Sequence, residues 1–336
     1  MLPSIKSIFH LLETCPTQES CIEFLEGILW KDGVVSPFDV NSTVYRCKNG
    51  KYKCRNSNKY FTVLTGTMFE GTKLPLRLWF MAIWHITTAS TGVTSVFIAK
   101  HFGITQKTAW HLMHRIRAAF KVENNHVLEG TVETDETFYG GKNKNRHKKN
   151  KFDYSKGNTE KIPVLGMIQR GGNIVCRVIP DRSKESMQSV VVKHLKNGSR
   201  LITDEHTSYK GLEQIYDHDM INHSAYEYVS LEDLSLHNNN IESAWRSFKR
   251  MASGTYSHVS KKHLQSYTDE FVYRYNMRKH PESDKFLWLI ANCNIKTTWK
   301  ELKSREFEII EPIKIYKPIT NKGGRKQHPP YPWNLN

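Results

Sequence analysis

The chain has 336 residues, with 49 Lys and Arg against 33 Asp and Glu, a formal charge of +16. Hydrophobic residues make up 38%, enough to build cores, which excludes a largely disordered chain. Mean hydropathy is −0.57 and no apolar run approaches the ~18 residues of a membrane span, so no membrane partner is expected.

The N-terminus lacks the basic, apolar and small-residue parts of a secretory leader. Cys15, Cys21, Cys47, Cys54, Cys176 and Cys293 have no framework spacing, as expected of reduced thiols in a cytoplasmic protein. The excess of cations points to a polyanion, because each phosphate neutralised by Lys or Arg releases counterions.

Residues 1–33 read as a helical segment of two short helices broken at Pro16. Thr17 is the expected N-cap of the second, which places Ile22, Leu25, Ile28 and Leu29 on one face. Its acidic residues make it a poor surface for nucleic acid.

Residues 34–74 change to short β-prone runs broken by Asn49-Gly50, the pattern of hairpins. A zinc ribbon needs two Cys-x2-Cys knuckles. Here Cys54 is followed three residues on by Ser57, and the other knuckle would fall on Ser36-Pro37-Phe38-Asp39. One thiolate does not hold structural zinc. The region is therefore expected to be a degenerate, zinc-free ribbon held by Tyr45, Tyr52, Tyr60, Phe61 and Val63.

Residues 75–124 return to helical periodicity and contain a helix-turn-helix pattern. Thr94 can cap a helix whose apolar positions include Val96, Ala99 and Phe102, Gly103 suits the turn, and Thr105 can cap a second helix. Ala109, Leu112, Met113 and Ile116 would face in. Gln106, Lys107, Thr108, His111, His114 and Arg115 would face out, where a recognition helix meets the major groove.

Residues 125–282 combine a strand-rich stretch to about 229 with long helical patterns over 238–280. On a strand, Glu133 and Asp135 share one face while Glu136 points the other way. Leu201-Ile202 is an apolar run ending in Asp204. Glu242 lies on a helix opened by Asn238, Asn239 or Asn240, with Lys249 two turns further on the same face. Carboxylates grouped against the chain's own charge suit hard divalent cations that promote in-line phosphodiester displacement. The basic run holding Lys142, Lys144, Arg146, Lys148 and Lys149 is expected to follow phosphates, and 283–336 reads as a basic segment and tail.

These motifs resemble the DDE-type transposases of bacterial insertion sequences, in the Merlin-related branch with an N-terminal zinc ribbon and an integrase-like, ISXO-type domain. The matching stretches include VETDETFYGGKNKNRH, PVLGMIQRGG, LITDEHTSY, NNNIESAWRSFKR and GTYSHVSKKHLQSYTDEFVYRYNMR, in family order over roughly residues 18–280. The resemblance implies an α+β multidomain protein. N-terminal helices and ribbon hairpins would precede the helix-turn-helix and a ribonuclease-H-like α/β catalytic domain. It implies Mg²⁺ (or Mn²⁺) held by Asp135, Asp204 and Glu242, with Asn239 as the alternative third residue and Lys249 on DNA phosphate. The implied partners are terminal inverted repeats and target DNA, with a homodimer or higher oligomer assembled on the DNA in the nucleoid. The rival readings are a domesticated DNA-binding protein that uses only the helix-turn-helix, and a general Mg²⁺ nuclease. The missing cysteines depart from the family pattern.

Overall fold

The computed structural model describes residues 5–48, 50–140, 161–221 and 236–304, with the backbone of two short strands, Ile319–Thr320 and Lys326–Gln327. Lys142, Lys144, Arg146, Lys148 and Lys149, and most of the expected tail, lie outside the described residues.

Helices α1 (Ile8–Thr14) and α2 (Gln18–Leu29) flank Pro16, and the Thr17 hydroxyl caps α2 by accepting the Ser20 N–H. Strands β1 (Val44–Arg46), β2 (Tyr52–Cys54) and β3 (Tyr60–Phe61) form a small antiparallel sheet in that order. Its inner face packs Tyr52, Cys54 and Phe61 against Trp30. Tyr45 and Tyr60 do not hold this sheet. They are 48% and 57% exposed, because strand alternation sends them to the outer face with Lys53. Hydroxyls of Ser36, Ser42 and Ser57 surround Cys54 and bring its thiol down to about 6.

Helix α3 (Leu76–Thr88) leads to α4 (Ser95–Phe102) and α5 (Gln106–Phe120), which are joined at Gly103 with φ +63°, a turn that favours glycine. Thr94 and Thr105 cap the two helices through the N–H groups of Phe97 and Thr108. Ala109, Leu112, Met113 and Ile116 are buried. Helix α4 buries Ile98 and Ala99 while Val96 is 49% exposed. One expectation for α5 fails. His114 and Arg115 are buried, and the Arg115 guanidinium donates to the Glu70 carbonyl at 2.6 Å and lies 5.2 Å from the Trp79 ring. The reason is position: the second half of α5 runs through a core and has neighbours on several sides.

Strands β4 (Thr131–Tyr139), β5 (Ile162–Gln169), β6 (Ile174–Val178), β7 (Arg200–Asp204) and β8 (Asp217–Ile221) form one mixed sheet in the order β6-β5-β4-β7-β8. β5 is antiparallel to β4 and β6, whereas β4–β7 and β7–β8 are parallel. The parallel crossover carries α6 (Lys184–His194), which buries Met187, Val190 and Val191 on one face of the sheet. Helices α7 (Asn239–Lys249) and α8 (Leu264–Asn276) cover the other face with Trp245, Phe248 and Phe271. The helical pattern over 238–280 is therefore interrupted, by a π-helical turn at Arg250–Thr255 and a connection to α8.

Helix α9 (Glu282–Ala291) returns to the N-terminal helices, so Phe286, Leu289, Ile290 and Cys293 sit in a core where the sequence reads as the start of a tail. Each such large apolar side chain contributes about 1.5–3 kcal/mol on burial. Helix α10 (Trp299–Ser304) follows. Between the helical core and the sheet, Arg117 of α5 meets Glu270 of α8 at 2.8 Å, with side chains 2% and 0% exposed. Tyr256 and Arg274 also donate to Glu270, each at 2.6 Å, and Arg274 reaches the carbonyls of Ile86 and Ala89. This closed network ties α3, α5 and α8 together.

Candidate active site

Parallel pairing of β4 with β7 matches Glu133 to Ile202, so two residues further along each strand Asp135 and Asp204 arrive at the same level. Carboxylate oxygens of Asp135, Glu136 and Asp204 lie within 4.8 Å of one another. Among the described residues, this is the one group of three His, Cys, Asp or Glu side chains close enough to share a cation.

Helix α7 crosses above it, and the Trp245 indole N–H donates to Asp135 Oδ2 at 3.1 Å. Gly166, opposite Asp135 on β5, makes room for that ring: a Cβ there would lie 2.5 Å from Trp245 Cζ2. Burial first, then the charges of Glu136 and Asp204, push the Asp135 carboxyl up to about 7. The Glu136 backbone N–H and the Trp245 indole work in the other direction.

Glu136 also turns toward the α6 side of the sheet. The Tyr209 hydroxyl donates to it at 3.1 Å and the Arg182 guanidinium pairs with its other oxygen. Burial, then Glu136, Asp135 and Asp204, raise the Tyr209 phenol well above its ordinary value. Alternation alone separates Glu136 from Asp135. The β4–β7 ladder ends at Glu133–Ile202, however, and beyond it side chains from both faces of β4 share the opening.

Glu133 has a different task. It is fully buried and accepts from Arg170 Nε at 2.8 Å, Asn240 N at 2.9 Å, Asn240 Nδ2 at 2.7 Å and Ile241 N at 3.1 Å. Arg170 donates as well to the His237 carbonyl at 2.8 Å. The Glu133 carboxylate therefore caps the positive end of α7 and pins it to β4. Glu242 is the next residue after Ile241 and precedes Trp245 by about one turn, so α7 is held to the sheet on either side of it.

Glu242 is partly buried and stands outside the group of three. Asn239 is exposed at the first position of α7 and Lys249 is exposed at its last. Glu136, Glu133, Trp245 and Arg182 are the residues that sequence reasoning missed. The acid density of Glu133-Thr134-Asp135-Glu136 was the available signal.

At the other candidate surface, Gln106 and Lys107 are exposed and Thr108 is partly exposed at the start of α5. Gln106 donates to Ser95 Oγ at 3.0 Å. Trp299 of α10 covers part of this surface, with Lys107 Nζ 5.1 Å from its ring and the half-buried His111 edge-on at 5.4 Å. Arg115 is in the core and is not part of this surface.

Residues 127–276, from before β4 to the end of α8, match the ISXO2-like transposase domain. The matched stretch is 150 of the 336 residues. Asp135, Glu136, Asp204, Glu242 and the Glu133 anchor all lie inside it. An uncharacterized protein in transposable element ISH50 of Halobacterium salinarum is 23% identical over 286 residues, which cover 80% of this chain and 95% of that protein. Both findings support an insertion-sequence transposase.

Proposed function

We propose that the protein is a DDE-type transposase that binds the terminal inverted repeats of its element, cuts strands there and joins the 3′-hydroxyl to target DNA. The observation that carries this reading is the convergence of Asp135, Asp204 and Glu136 within one transposase domain. The order β6-β5-β4-β7-β8, with β5 alone running against the other four strands, supports a ribonuclease-H-like catalytic domain. These acids suit a hard divalent cation: oxygen donors in mutual repulsion, one of them with a raised pKa, gain from a shared positive charge.

Asp135 and Asp204 would hold Mg²⁺ or Mn²⁺, with Glu242 as third ligand and Asn239 as the alternative. When bound, the ion neutralises charge at the scissile phosphate and polarises the attacking hydroxyl. The chain's own residues prepare the site. Trp245 orients Asp135, Arg182 and Tyr209 hold Glu136, and Glu133 fixes the helix bearing Glu242. Lys249 would meet a phosphate near the cut.

Recognition of the element's end falls to Gln106, Lys107 and Thr108, with His111 behind them, in the manner of a helix-turn-helix. Lys142, Lys144, Arg146, Lys148 and Lys149 would add sequence-independent phosphate contacts. A dimer or higher oligomer on DNA in the cytoplasm completes the reading.

The test is a paired binding and cleavage assay on a duplex carrying the inverted repeat that flanks the gene. Wild-type protein is expected to nick it with Mg²⁺, whereas Asp135→Asn and Asp204→Asn bind it equally and leave it whole. Equal loss of binding and cleavage, or retained cleavage, would overturn the proposal.

A further inference from the structure

The outer face of the three-stranded ribbon sheet is unexplained by folding. Register places Tyr45, Lys53 and Tyr60 in one row across β1, β2 and β3. Both tyrosines are about half exposed or more, and the Lys53 ammonium stands 5.6 Å from the centre of the Tyr60 ring. Between Val44 and Tyr60 the sequence has Arg46, Lys48, Lys51, Lys53, Arg55 and Lys59, and no Asp or Glu. All of these cations but the half-buried Lys53 are exposed. The opposite face is fixed, with Tyr52 and Phe61 packed on Trp30 at ring separations of 4.9 and 6.1 Å. The outer rings therefore stand on a rigid floor, so seating a ligand on them costs little ordering.

Two flat π faces about 10 Å apart, given strands ~4.8 Å from their neighbours, with a cation between them and a rim of further cations, match the chemistry of unpaired nucleotides. Bases stack on the tyrosines while phosphates pass the lysines. A duplex hides its base faces and would use only the charges. An acidic protein would leave the rings without a purpose. We propose that this face is a platform for single-stranded DNA, which engages the unpaired bases of a strand opened or cut at the element's end. The inference rests on the transposase reading for the source of that strand, and on the ribbon's own geometry for the contact.

The test measures fluorescence anisotropy of the full-length protein with a labelled oligothymidylate of about 20 nucleotides and a blunt duplex of similar length. Tyr45→Ala and Tyr60→Ala are each expected to weaken single-strand binding roughly tenfold, since stacking contributes ~1–3 kcal/mol per base and 1.4 kcal/mol is tenfold. Tyr45→Phe and Tyr60→Phe should restore it, because the stacking face survives. Duplex binding should stay within about twofold throughout. Equal losses on both DNAs would reduce the face to general electrostatics and overturn the platform. So would unchanged single-strand binding by the Ala variants of a wild-type protein that binds DNA. A wild-type protein that bound neither DNA would overturn the transposase reading along with it.

Discussion

A fully buried acid, Glu270, and a partly buried one, Asp135, both lose solvent and answer that loss oppositely. Burial works to raise the Glu270 carboxyl, but Arg117 and Arg274 hold it below the ordinary value, and Tyr256 adds a hydrogen bond. Asp135 meets burial together with the charges of Glu136 and Asp204, and is pushed up to about 7. One arrangement is closed and serves the junction of α5 with α8. The other is left short of positive charge by its own chain, although that chain carries a net +16. An acid cluster that costs stability in the free protein makes sense when a cation completes it.

The sharpest way to break this contrast is at the closed network. Glu270→Ala leaves two buried guanidinium groups without their carboxylate and should cost about 3–5 kcal/mol in chemical denaturation. A loss below about 1 kcal/mol, the level of an exposed pair, would show that the network does not hold the junction.

Gly166→Ala comes next. The new methyl group meets the Trp245 ring, so about 1–3 kcal/mol should be lost to overpacking. Strand cleavage should fall further than stability, because Trp245 then releases Asp135 and moves α7. Unchanged cleavage at reduced stability would remove Trp245 from the positioning of the site.

The last effect is a gain. Unfolded Asp135 loses its proton near pH 4, while the folded protein keeps it to about 7. Over that interval the unfolded state binds fewer protons, so this group's contribution to stability falls as pH rises, and the penalty is constant above the folded value. Without divalent cations, Asp135→Asn should melt higher than wild type at alkaline pH, and the gap should close as pH drops from about 7 to about 4. Thermal melts over that range check it, and a gap independent of pH would contradict it.

How much was legible in the sequence follows from how local each cause is. Thr17, Thr94, Thr105 and Gly103 could be read because caps and a left-handed turn depend on a few neighbouring residues. Asp135 and Asp204 could be named from motif and strand context, and register then set them at one level. The burial of Arg115 could not be read, since it depends on Glu70 and Trp79, tens of residues away. Glu136 was hidden by the alternation rule, which takes no account of the pairing with β7 ending at Glu133 while that with β5 continues. Glu133 resembles a surface acid on its strand until α7 delivers the N–H groups of Asn240 and Ile241 to it. Tyr45 and Tyr60 read as residues that hold the ribbon, because the register that turns them outward comes from pairing across three strands.

The central claim is that Asp135 and Asp204 form a cation site, and its most direct measurement is calorimetric melting at about pH 8 with increasing Mg²⁺. Wild-type protein should gain about 2.7 kcal/mol when free Mg²⁺ reaches ~100 times its dissociation constant. Asp135→Asn and Asp204→Asn should show no such gain. A Mg²⁺-dependent shift of equal size in wild type and both variants would place the cation elsewhere and contradict the claim.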